Sequence, residues 1–491
     1  MPAEKIRRSV VLLLALLIAS AAPVRATTPP TFTVVDSIRP GTSGSNPYNF
    51  TALGDYLYFV ADDGTSGSEL WRTNGPTANL VLDINDGASG SFPGNFTVFE
   101  SYIYFVANDG STGNELWRTN GTVTELVEDI NPGINPSNPG YLTALGDNLY
   151  FVANDGSTGN ELWRTNGTDT ALVLDIFSGV DGSNPVEIFA TDGFLYFQAA
   201  SSATGYELWR TNGATTGIVA DINPGTSSSY PYSFAALGGY LYFRASDGTS
   251  GDELWRTNGT ALGTTLVRDI LSGPNGGFPA DLTTFGNYVY FVANDDVSGN
   301  ELWRTDGTAL GTTLFSDINP DEDSSSPYGL TALNGYLYFP AYDDAAGYEL
   351  WRTDGTVSGT TRVEDIDPGV NGSSPFAFTA IGDYVYFVAT SSTNAFVHRT
   401  DGNVTERVPF PLDPNQFISC ECNPLASVGG RLYSVVYSEA TGGEFAYLDE
   451  ATYVLPETNA DDRVVWNWTI ALTVLALITL AAGAGLRSRS S

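Results

Sequence analysis

Seven times the chain spells Glu-Leu-Trp-Arg-Thr, beginning at Glu69, Glu115, Glu161, Glu207, Glu253, Glu301 and Glu349. The starts lie 46 residues apart as far as Glu253 and 48 apart after it. A period of that length marks a supersecondary unit that cannot bury its apolar surface alone, so neighbouring units must stack into one continuous core. This constraint outweighs the several domains that 491 residues would otherwise suggest. It predicts a single repeat domain over residues 31–455.

One unit reads Tyr240-Leu241-Tyr242-Phe243, a polar loop from Ser246 to Gly251, Glu253-Leu254-Trp255-Arg256-Thr257, an Asn258-Gly259 turn and Thr264 to Ile270. A Gly/Pro-rich connection and Asp281-Leu282-Thr283-Thr284-Phe285 complete it before Tyr288. Aromatic and β-branched enrichment without helical periodicity indicates four short strands, and Asn-Gly favours a tight hairpin because both central residues tolerate positive φ. The Tyr-Leu-Tyr-Phe strand is apolar on both faces, as in a sheet covered on each side. In Glu-Leu-Trp-Arg-Thr, Leu and Arg point one way while Glu, Trp and Thr point the other.

Four-stranded antiparallel sheets with two buried faces stack radially, so the expected fold is an all-β β-propeller with Trp71, Trp117, Trp163, Trp209, Trp255, Trp303 and Trp351 packing its blades. An open solenoid uses the same strands but needs capping ends. Here the ends complement each other. Phe32 to Asp36 matches a third strand and Tyr48 to Leu53 a fourth, while Arg431 to Val436 and Glu444 to Tyr447 match a first and a second. Nine first strands can be counted, with units degenerate around His398 and Ala446, so eight or nine blades are expected.

A composition 42% hydrophobic and 12% aromatic supports a substantial core. The net charge of −35, with Lys5 the single lysine, repels phosphate backbones and excludes nucleic acid as a partner. Soluble cations, basic proteins and uncharged glycans fit it, and acidity also serves solubility. Residues 1–26 read as a signal peptide: Lys5, Arg7 and Arg8 precede an apolar run and small-residue cleavage candidates. After a linker at 456–463, residues 464–486 form an apolar stretch long enough to span a bilayer, entered past Trp466 and Trp468 and followed by Arg487 and Arg489 in a short cytoplasmic tail, 487–491. The expected location is the cell surface, as a single-pass type I protein. Leu455-Pro456-Glu457-Thr458-Asn459 also resembles a sortase sorting signal, which ends in Gly where this chain has Asn459, so a sortase-anchored or released form is the alternative. A lipid anchor at Asn459-Ala460-Asp461 fits less well because the chain ends in Arg-Ser-Arg-Ser-Ser. Cys420 and Cys422 can close a small disulfide loop or stay reduced, but two cysteines make no disulfide framework.

Glu-Leu-Trp-Arg-Thr-Asp-Gly-Thr at 301–308 and 349–356 resembles the repeat of the ELWxxDGT-repeat, hyalin-like proteins. The resemblance covers most of the chain and implies a secreted or surface repeat protein, commonly taken to be a propeller, without established catalytic residues to transfer.

In such a blade the loops after the first and third strands emerge on one face, and these are the longer polar ones, which makes that face the candidate working surface. Asp109, Asp155, Asp247, Asp295 and Asp343 recur there, and Asp83 and its copies at Asp129, Asp175, Asp221, Asp269, Asp317 and Asp365 end the third strands. Hard oxygen ligands at short spacing suit Ca²⁺, although the order departs from an EF-hand. The competing reading is that these acids cap turns by accepting backbone hydrogen bonds.

A single histidine, His398, stands where the repeat has Trp, so a Ser-His-Asp or Cys-His constellation lacks an evident base. Carboxylate pairs across a central channel would serve a glycan hydrolase. Thr112 to Trp117 faintly resembles the Trp-docking repeat of quinoprotein dehydrogenases, whose adjacent cysteines Glu421 separates here. Asn-x-Ser/Thr acceptors occur at Asn49, Asn95, Asn120, Asn166, Asn258, Asn371, Asn403 and Asn467. The leading expectation is a monomeric, membrane-tethered extracellular propeller that binds a glycan, protein or cation through its Asp/Gly/Ser-rich loops, without resident cofactor.

Overall fold

Every Tyr-Leu-Tyr-Phe run becomes the second strand of a four-stranded antiparallel sheet. In the computed structural model the described residues are 32–449, except 36, 321–322, 392–393, 410–416, 419–424 and 439–441. Blade 1 consists of Tyr48–Leu53, Tyr56–Asp62, Ser68–Thr73 and Ala78–Leu82, paired in that order. The same order recurs in blades 2 to 7, at residues 94–128, 140–174, 186–220, 232–268, 280–316 and 331–362, and blade 8 spans 376–407. Leu425–Val428, Arg431–Ser438 and Gly442–Asp449 form most of the ninth. The two-residue strand Phe417–Ile418 pairs with strands of both blades 8 and 9 and joins them into one sheet.

The ring closes on itself. Thr33 pairs with Tyr447 and Val34 with Ala446, so the N-terminal segment supplies the outer strand of blade 9. Inner strands touch in succession from blade 1 onward, and Tyr48–Leu53 of blade 1 touches Leu425–Val428 of blade 9. The open-solenoid alternative and the eight-blade count are thereby replaced by a closed nine-bladed propeller.

The unit boundary also shifts. Ala280–Phe285, read from the sequence as the last strand of its unit, pairs with the following Tyr288–Asn294 and opens the next blade as its inner strand. The two-residue link Gly286-Asn287 is a hairpin, whereas the long Gly/Pro-rich connection before Ala280 crosses between blades.

Each letter of the repeated pentapeptide has a separate packing job. Between blades 1 and 2, Tyr58, Leu70 and Ile84 of the first meet Ile103, Phe105, Ala107 and Trp117 of the second. Leu thus faces the following blade and Trp the preceding one, as strand alternation requires. Burying each Leu, Phe or Trp contributes roughly 1.5–3 kcal/mol, so stability accumulates interface by interface. Arg reaches over the following blade: Arg164, Arg256 and Arg304 donate to the carbonyls of Gly213, Gly307 and Gly355 at 2.8, 2.6 and 3.1 Å. Stacking of Arg256 on Tyr240 at 4.5 Å aims that guanidinium. Thr closes the turn after its own strand; Thr257 Oγ1 accepts from Gly259 N at 2.9 Å.

Blade 8 keeps the geometry with different chemistry. His398 pairs with Phe387 in the register that Trp117 shares with Phe105, and its ring stacks on Phe387 at 5.7 Å. Burial pushes its pKa down to about 4, so the imidazole is neutral at physiological pH. Among the described residues no helix is long and apolar enough to cross a membrane. The signal-peptide and transmembrane readings, and Cys420 and Cys422, lie outside the described residues.

Candidate functional site

In blades 1 to 7 the connection from the outer strand to the next blade is fastened by the Glu of the repeat, whereas blade 8 has Phe396 at that register. Glu207 accepts from the backbone N–H groups of Ile222, Asn223 and Ser229 at 2.9, 3.3 and 3.0 Å and from Ser229 Oγ at 2.6 Å. Glu69 does the same toward Ile84, Asn85 and Ser91, and Glu115 and Glu301 repeat much of the pattern. All seven glutamates of the repeat are fully buried. Burial pushes the carboxyl of Glu207 up to about 7, the hydrogen bonds from Ser229, Ile222 and Asn223 offsetting this only in part. The other six shift in the same direction for the same reason. Glu444 of blade 9, bonded by Ser37 Oγ at 3.2 Å, is likewise pushed up by burial to about 7.

The recurring aspartates sit on loops of that same face. Asp109 Oδ1 accepts from Ser111 N and Thr112 N, both at 2.8 Å, and Asp155 Oδ1 from Ser157 N and Thr158 N at 2.8 Å. Asp247 and Asp295 cap the residues two and three further on in the same way. Asp343 caps Ala345 and Ala346 and pairs with Arg362 at 2.9 Å. Partial burial raises the carboxyls of Asp109, Asp155 and Asp247, but those backbone donors outweigh it and hold each below its ordinary range. Each aspartate lies in a different blade, and the structure does not bring the five together. Among the described residues no group of three His, Cys, Asp or Glu side chains is placed to hold a metal ion. A cation at one of these loops would therefore draw most of its oxygens from Asn side chains and backbone carbonyls.

Two concavities open among these elements. One, about 530 Å³, lies between blades 2 and 3 and is lined by Asn131, Asn135, Asn154, Asp155, Ser157 and Val180, among others. It repeats in outline. The amide of Asn131 lies over Gly156, that of Asn85 over Gly110 and that of Asn223 over Gly248, each so near that an added Cβ would stand within 2.8 Å of the amide oxygen. Glycine is needed at Gly156 for that approach and for its φ of 78°.

The other, about 460 Å³, is lined by residues of five successive inner strands and their leads, from Tyr141 of blade 3 to Leu330 of blade 7. This places it in the central channel, at the end where the long connections arrive. Here the blades differ. In blades 1 to 8 the equivalent position at the start of the inner strand, or just before it in blade 7, holds Asn49, Asn95, Tyr141, Glu187, Ser233, Asp281, Gly329 and Ala377, all with φ between 54° and 58°. Seven of the eight are non-glycine residues in the left-handed region, at a cost of about 1 kcal/mol each. Sequence reasoning overlooked this column, although its variation beside the invariant pentapeptide was readable.

No family model matches the chain, and no curated protein matches it. Solved structures with partial likeness include one of two prolyl endopeptidases (13% identity, TM-score 0.43), a puromycin hydrolase mutant (13%, 0.40) and oligopeptidase B from Leishmania major (13%, 0.41). They cover 82%, 84% and 82% of this chain, which spans 55%, 61% and 54% of theirs. At those scores the likeness adds nothing to the strand order already described.

Proposed function

We propose that the protein is an extracellular, membrane-tethered binding module of the ELWxxDGT-repeat, hyalin-like kind, whose long-loop face meets a glycan or protein surface, with Ca²⁺ as a candidate bridging cation. The observation that carries this reading is the polar groove between adjacent blades, where Asn131, Asn135, Asn154 and Asp155 offer amide and carboxylate groups beside the exposed Val180. Hydroxyl-rich ligands are recognised by such mixed donors and acceptors next to small apolar contacts. Related grooves around the ring would raise avidity for a repeating ligand without new contacts. The tether rests on the apolar stretch at 464–486 and the leader at 1–26.

A glycan array probed with the full-length protein, with and without Ca²⁺, tests the reading. Binding to a repeating glycan, weakened by Asn131→Ala together with Asp155→Ala, supports it. Absence of glycan and protein ligands, with no Ca²⁺-linked rise in melting temperature, overturns it.

A further inference from the structure

The channel pocket differs in chemistry from the loop-face groove. Its walls are Ile188, Phe189, Phe234, Leu282 and Leu330, with the rings of Tyr141 and Tyr232 half exposed. Two carboxylates enter it, Glu187 from blade 4 and Asp281 from blade 6, with Ser233 of blade 5 between them. No lysine, arginine or histidine is among the lining residues. The guanidinium of Arg244 lies over the Tyr232 ring at 5.0 Å and 3.8 Å from Asp252.

The carboxylates are aimed by the backbone of the blade that follows each. Asp281 Oδ2 accepts from Gly329 N at 2.9 Å, and Glu187 Oε2 from Ser233 N at 3.4 Å. Ser233 Oγ accepts from Leu282 N at 3.1 Å, continuing the same chain of bonds around the channel. The left-handed backbone at Glu187 and Asp281 holds the two acids at bulges of their strands. Asn49, Asn95, Tyr141, Ser233 and Ala377 share that backbone at the equivalent places, so what distinguishes Glu187 and Asp281 is the charge they bring to the channel.

Two anions with Ser233, Phe189, Phe234 and Leu282 between and around them suit a ligand with two cationic ends and a methylene stem. A bare divalent ion would find too few oxygens, since no group of three acidic or imidazole side chains converges among the described residues. An anion would meet uncompensated carboxylates in a pocket of a strongly acidic protein. The half-exposed Tyr141 ring adds cation–π attraction for an ammonium group, whereas Arg244 already stacks on Tyr232.

We propose that the central channel holds an aliphatic polyamine, with its ammonium groups on Glu187 and Asp281 and its methylene stem against Phe189, Phe234 and Leu282. The assignment is independent of the loop-face reading, because it uses other residues and another class of ligand.

Isothermal titration of the full-length protein with spermidine tests it against Glu187→Gln/Asp281→Asn. A charge-matched control, Asp55→Asn/Asp147→Asn, neutralises exposed acids in the short inner-strand turns on the opposite face. Site binding predicts saturable titration, a loss of about tenfold per neutralised pocket carboxylate, and no loss in the control. Both variants should melt as the parent does, since Gln and Asn keep the acceptor for Ser233 N and Gly329 N. Non-saturable uptake, or equal weakening in the two variants, would show attraction to the acidic surface as a whole and overturn the proposal. Tighter binding of Ca²⁺ than of spermidine at Glu187 and Asp281 would overturn it as well.

Discussion

Replacing Glu207 tests whether the repeated glutamate is a structural clamp. Alanine strands the N–H groups of Ile222, Asn223 and Ser229, while the Ser229 hydroxyl can rotate toward another partner. Each buried donor left without an acceptor costs about 1–3 kcal/mol, and removing the buried carboxyl returns part of its desolvation, giving a net loss near 4 kcal/mol. Glutamine, isosteric with the protonated acid, should cost about 1–2 kcal/mol. The pH dependence separates a clamp from ordinary packing. A carboxyl whose pKa rises from 4.5 to about 7 on folding binds its proton more tightly in the native state. Its contribution is therefore full below pH 4.5 and is lost as pH rises toward 7. That interval corresponds to roughly 3 kcal/mol, or about 2 kcal/mol after solvent screening. Glu444 and the six other repeat glutamates act in the same direction. Urea unfolding at pH 5 and pH 8 should show the parent more stable at pH 5, and Glu207→Gln should reduce that difference by about 2 kcal/mol. A Glu207→Ala cost below about 1 kcal/mol, or a parent more stable at pH 8, would refute the clamp.

Three further outcomes follow from neighbouring contacts. Arg256→Ala removes the bond to Gly307 O and the stacking on Tyr240, and should cost about 1–3 kcal/mol by urea unfolding, with faster amide exchange around Gly307 of the next blade. Gly121→Ala should cost about 2 kcal/mol or more in thermal unfolding, because its φ is 83° and the new methyl would collide with Tyr58 Oη and Arg72 Nη1. An alanine at Gly133, where φ is 106° and no atom lies within 4 Å, should carry the backbone strain alone. His398 has its pKa depressed from 6.5 to about 4, so its share of stability is present above pH 6.5 and is lost as pH falls toward 4. His398→Phe should accordingly gain about 2 kcal/mol over the parent at pH 4.5 and change stability by less than about 1 kcal/mol at pH 8.

Much of the blade was readable from residue order because strand alternation is a local rule. Leu254 and Trp255 must leave a strand on opposite faces, and Asn258-Gly259 must turn, whatever surrounds them. The strand that ends one apparent unit was harder to place. Asp281 to Phe285 could pair backward or forward, and only the lengths of the links on either side favour forward pairing. Glu253 was legible as sharing the Trp face of its strand, but its partners Ile270, Leu271 and Gly277 are 17, 18 and 24 residues away, held there by the connection's path. The aspartates read equally as cation ligands and as turn caps, because ligand loops and capped turns share the same residues; the fold shows Asp109 and Asp155 each capping its own turn through Oδ1.

Strand identity, sheet stacking and the packing role of the pentapeptide follow from the sequence alone, since each is set by side-chain period and a repeat that local chemistry enforces. Ring closure at nine blades depends on the angle accumulated between neighbours, which lets Val34 meet Ala446 more than four hundred residues later. The channel pocket depends on that closure. Tyr141, Glu187, Ser233 and Asp281 lie 46 to 48 residues apart in the chain and become neighbours because inner strands converge on one axis. Local physics could make each blade, but only the closed ring could place four different residues around a common space.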